Sequence, residues 1–204
     1  MNLSSVQDDL AFMKALTDGD VARRHQALFG RIYFAAGLIY GFQIVVQWMT
    51  YVDLVELPFS EGLFVLMINA AFIGYLVWEI WRNRGLGKGT MTNRAINACF
   101  SAVGTANLAV AIILFLGAWR LEEPMIGVLI PCVGFALQGA GWFVAYTLRR
   151  QAWHGVVALG WFVTAVAMAY YIGTMTCLLL IGLGILLWMA IPGFVMMRLA
   201  SKAA

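Results

Sequence analysis

Charge is missing from long stretches of this chain, and that absence restricts its folding more than any motif does. No Asp, Glu, Lys or Arg occurs in residues 32–52, 62–78, 95–119, 124–148 or 151–197. A helix needs about 20 residues at 1.5 Å each to cross a hydrocarbon core near 30 Å. Lipid offers the backbone no partners, so each segment must bond within itself unless a barrel closes. These runs lack the period-two alternation of barrel strands and read as helices. The last run is too long for one crossing and divides at Gly173-Thr174.

The predicted spans are 32–49, 63–81, 95–118, 125–148, 155–172 and 175–197. The fold class is all-α: a polytopic membrane protein with a six-transmembrane-helix bundle of three hairpins over residues 31–198, followed by a tail, 199–204. Only 11% of the 204 residues are charged, against about 25% in a soluble domain. The mean hydropathy of +0.85 agrees. Pro131 and Pro192 are expected to kink the fourth and sixth helices.

Orientation follows from the basic residues. Twelve of the thirteen Lys and Arg lie in the N-terminal segment, the 82–94 loop, Arg149/Arg150 and the C-terminus. Arg120 is left for the other side, with Asp53, Glu56, Glu61, Glu122 and Glu123. The positive-inside rule puts both termini in the cytoplasm. It also accounts for the net charge of +3 without nucleic acid, which is not an expected partner. Trp48 and Trp119 fall at outer ends of the spans and Trp78, Trp81 and Trp153 at inner ends, as interfacial belts do.

Residues 1–30 form the predicted cytoplasmic segment. It lacks the basic start and apolar run of a signal peptide. Ser4 and Gln7 have capping-box spacing, and Leu3, Val6, Leu10 and Met13 recur at helical intervals. A short amphipathic helix is expected to stop near Asp18, where Gly19 follows. Helices that lie on anionic lipid usually carry a basic polar face, whereas this one is acidic. Docking on the protein's own loops or on a partner suits it better, with Asp8, Asp9, Leu10, Met13 and Lys14 as the candidate partner-binding residues.

Uncharged polar side chains at middle depth are the candidate ligand-binding residues. Tyr40, Gln43 and Gln47 share a face of the first span, and Gln43, Asn107 and Gln138 reach similar depth, with Asn69 further out. Together they suit a small neutral ligand, a quinone or a pigment carbonyl. The competing role is interhelical hydrogen bonding, worth about 0.6 kcal/mol per contact. No ionisable group lies at mid-span, which argues against proton relays and charged substrates. Glu79, near the inner boundary, is expected to pair with Arg82 or Arg84. Gly37-x-x-x-Gly41, Ala70-x-x-x-Gly74, Ser101-x-x-x-Thr105 and Ala136-x-x-x-Ala140 permit close helix approach.

Catalytic and metal readings find little purchase. Cys99, Cys132 and Cys177 lie in apolar segments without Cys-x-x-Cys spacing and read as small buried hydrophobes. His25 and His154 fall at the cytoplasmic interface, where a haem bridged between helices would not sit. The loop Gly85-Leu86-Gly87-Lys88-Gly89-Thr90 lacks full phosphate-loop spacing. No catalytic residues and no metal ligands are expected. No cofactor is assigned, with haem, quinone and pigment left open.

Asp8-Asp9-Leu10-Ala11-Phe12-Met13-Lys14-Ala15, followed by Gly30-Arg31 and Gly37-Leu38-Ile39-Tyr40-Gly41, resembles a group of uncharacterised small multi-span bacterial inner-membrane proteins. The resemblance covers residues 1–50 and implies a bacterial cytoplasmic (inner) membrane location, without carrying over any catalytic residue. In size and topology alone the chain is also similar to the substrate-binding subunits of energy-coupling-factor transporters. The expected function is a non-enzymatic accessory or interaction subunit of a membrane complex, in contact with lipid and with another membrane protein or its own copies. The alternatives are a transporter or binding subunit for a small neutral or apolar molecule, and a membrane redox or pigment-binding protein.

Overall fold

The computed structural model describes residues 3–85 and 90–202, with side chains described from Val21 to Ser201. Helix α1 spans Leu3–Tyr51, α2 Glu61–Arg82, α3 Met91–Leu121, α4 Leu129–Arg149 and α5 Ala152–Tyr170. The last apolar segment is α6, Met175–Ile185, then a π-turn at Leu186–Ala190, then α7, Ile191–Lys202. No strand occurs among the described residues, and six of the helical segments are long and apolar enough to cross a membrane.

Local chemistry sets the helix ends. Ser60 caps α2, its hydroxyl accepting from the Leu63 N–H, and Thr90 caps α3 in the same way through Asn93. Glu122 and Arg150 adopt left-handed backbone where α3 and α4 stop. Gly173, at φ +79°, supplies the turn between α5 and α6 at the expected break.

Three expectations about the helices need revision. The first helix does not stop at Gly19: α1 is continuous, and its 49 residues measure about 74 Å, more than a bilayer spans. A single glycine costs a helix about 1 kcal/mol relative to alanine, which so long an element tolerates. Pro131 does not kink the fourth helix, because α4 begins at Leu129 and Pro131 falls in its first turn. The amide missing there has no intrahelical carbonyl to bond. In the last apolar segment the irregularity precedes Pro192: the π-turn at 186–190 widens the ladder where the proline ring would strike a carbonyl.

The helices pack in the spatial order α2, α1, α6/α7, α5, α4, α3. Glycines fix the α1–α7 contact. A Cβ on Gly37 would lie 2.4 Å from the Ala190 backbone nitrogen, and one on Gly193 2.4 Å from that of Phe34. The backbones therefore meet directly, as small residues allow in lipid. In the interior, Phe135 and Trp161 meet edge to face with centroids 4.6 Å apart, beside Met168, Val157, Cys132 and Cys177. The margins differ sharply. In α4 and α5, 39% of the apolar window is buried, against 11% in α2 and 6% in α3.

Candidate functional site

The packing brings most of the arginines to one end of the bundle. Arg24 and Arg31 of α1, Arg82 of α2, Arg149 of α4 and Arg198 of α7 lie near the start of α3 and α5. Side-chain hydrogen bonds tie this end together. Arg149 donates to Asn93 Oδ1 at 2.7 Å, and Asn93 Nδ2 donates to the Ala22 carbonyl, linking α4, α3 and α1.

Below this tie lies an aromatic cluster. Trp142 Nε1 donates to the Tyr33 hydroxyl at 2.8 Å, with Phe100 against both rings and Phe29 against Tyr33 and Phe100. His154 is buried beneath Trp153, their rings stacked 3.9 Å apart, and its Nδ1 meets no partner. His25 and His154 line one cavity of about 30 Å³ together with Asn93, Phe100, Trp142 and Arg149. His154 is thus a core side chain, whereas the sequence suggested an interfacial one. The cavity has room for a water molecule or two.

Glu79 is wholly buried and pairs with Arg31 across the α1–α2 seam, instead of with Arg82 or Arg84. Asn83 accepts from Arg31 and donates to the Glu79 carbonyl at 2.7 Å. Arg82 lies over the Trp78 ring, 4.9 Å from its centroid. The sequence contained a signal for this pair, since Arg31 and Glu79 both close an apolar run at the same end. Helix order was needed to select the partner.

Of the mid-depth polar residues, Tyr40 and Asn69 are joined by a described hydrogen bond, and the others are not brought to one pocket among the described cavities. Tyr40 donates to Asn69 Oδ1 at 3.2 Å, Asn69 donates onward to the Val65 carbonyl, and both sit on the α1–α2 seam. Gln43 is buried on α1, and Gln47 is half-buried one turn further on. The carbonyl oxygens of Gln43, Asn107 and Gln138 are buried and accept no hydrogen bond. Asn107 presses on α4, its Oδ1 2.9 Å from where a Cβ on Gly134 would stand. The candidate partner-binding side chains Asp8, Asp9, Leu10, Met13 and Lys14 lie outside the described residues, as does the loop 86–89. Among the described residues no group of His, Cys, Asp and Glu is placed to hold a metal.

No protein-family model, curated protein or solved structure matches the chain.

Proposed function

We propose that this is a non-enzymatic integral membrane protein of the bacterial cytoplasmic membrane, with both termini inside, acting as an accessory subunit. It associates with another membrane protein or with further copies of itself. The observation that carries this reading is the contrast between a filled interior and uncovered margins. Trp142, Met168, His154 and Glu79 fill the interior, whereas α2 and α3 leave most of their apolar side chains exposed. The cavity between Trp142 and His154, about 30 Å³, has room only for water. Gentle purification from native membranes should yield the chain together with a second membrane protein or as an oligomer. A clean monomer with nothing attached would overturn the proposal.

A second reading is favoured by one observation: three buried, unpaired carbonyl oxygens on Gln43, Asn107 and Gln138. Unmet acceptors in a low-dielectric interior are costly, and a small ligand carrying N–H or O–H donors would satisfy them. Under this reading the chain is a transporter or binding subunit for a small neutral molecule. Replacing Gln43 and Gln138 with Leu should then abolish uptake or binding, and unchanged uptake would remove the reading.

A further inference from the structure

The outward stripe of α1 changes character along its length in a way the proposed function does not use. Arg24, Ala27, Arg31, Leu38 and Val45 follow one another at intervals of three, four or seven residues. They therefore share one face of the helix. At the arginine-rich end this stripe has a recess on either side. The recess toward α2, about 410 Å³, is lined by Arg24, Ala27, Arg31, Arg82, Asn83 and Gly85. The recess toward α7, about 420 Å³, shares Arg24, Ala27 and Arg31 and adds Arg23, Met197, Ala200 and Ser201.

Further along α1 the stripe becomes wholly apolar. Leu38, Ile39, Phe42, Val45, Ile68 of α2 and Leu186 of the π-turn line a groove of about 440 Å³. From Arg31 to Val45 the helix advances about 21 Å, and the groove occupies the second half of that length, from Leu38 to Val45, at hydrocarbon depth if Arg31 lies at the headgroups. A basic recess and, further along the same helix face, an apolar groove match an anionic phosphate joined to an acyl chain.

We infer that this face of α1 binds an anionic phospholipid, its phosphate held by Arg24 and Arg82 and one acyl chain lying along Leu38, Phe42, Val45, Ile68 and Leu186. Arg31 is committed to Glu79 and forms the wall between the recesses, so Arg24 and Arg82 supply the charge that no described carboxylate pairs. The carboxylates of Asp18 and Asp20, one to two turns before Arg24, lie outside the described side chains. Basic recesses between membrane helices suit such headgroups, with each arginine near the surface adding to the attraction. The inference holds whichever leaflet this end occupies, and so stands apart from the proposed orientation and accessory role.

The test is native mass spectrometry and thermal unfolding of the full chain in detergent. Cardiolipin, phosphatidylglycerol, phosphatidylcholine or inorganic phosphate is added at matched concentration. Both anionic lipids should remain bound and raise the midpoint, whereas phosphatidylcholine and inorganic phosphate should not. Arg24→Gln with Arg82→Gln should weaken anionic-lipid binding by about thirty-fold. Arg120→Gln, at the opposite end, should leave it unchanged, and Ile68→Trp should block the chain groove without touching the charges. Equal retention of phosphatidylcholine, full competition by inorganic phosphate, or intact binding in the double arginine variant would each overturn the assignment.

Discussion

Trp142 and Tyr33 stand 109 positions apart in sequence and are joined by a 2.8 Å hydrogen bond from the indole N–H to the phenol oxygen. Trp142 is 1% exposed and Tyr33 5%. Tyr33→Phe would leave the indole N–H buried without an acceptor, at a cost of about 1–3 kcal/mol. Thermal unfolding in detergent should register the loss. Tyr33→Phe combined with Trp142→Phe should cost less than the sum of the single changes, and full additivity would show that the bond contributes nothing.

The Arg31–Glu79 pair leads to a second expectation. Glu79→Gln removes one partner of a buried ion pair and strands Arg31, which costs about 3–5 kcal/mol where both charges are fully desolvated. With the Arg31 side chain 30% exposed, the low end of that range applies. Arg31→Leu with Glu79→Leu should recover most of the loss. A double variant as unstable as Glu79→Gln alone would contradict the pairing.

Helix contact makes two glycines unequal. At Gly37 a methyl group would meet Ala190 backbone, so neither side can yield by turning a side chain. Gly37→Ala should destabilise by about 1–3 kcal/mol, the usual range for overpacking. At Gly74 nothing stands within 4 Å of the added atom, and Gly74→Ala should be neutral or stabilise by up to about 1 kcal/mol. Unfolding midpoints of the two variants, compared side by side, decide the matter.

Orientation can be read by labelling. With Cys99, Cys132 and Cys177 replaced by Ala, Asp53→Cys should react with an impermeant maleimide in intact cells. Gly85→Cys should react only after permeabilisation. The reverse pattern would invert the topology.

What the sequence alone determined is the set of helices long and apolar enough to cross a membrane. Charge-free runs of the right length are a local property, and each predicted span overlaps one of the six apolar helices, though the first of these begins at Val21, well before Ile32. The Gly37-x-x-x-Gly41 spacing also announced close approach, though it did not name Ala190, Leu186 and Gly182 as the opposing surface. The choice of partners belonged to the tertiary structure. Tyr40 turned to Asn69 while Gln43, on the same stretch of helix, was left without an acceptor's partner, and Glu79 passed over its neighbours Arg82 and Arg84 for Arg31. Lipid rewards every apolar helix face almost equally, so hydropathy places a helix in the membrane without choosing its neighbours. That choice rests on backbone approach at small residues and on a few polar contacts, both of which depend on residues far apart in the chain.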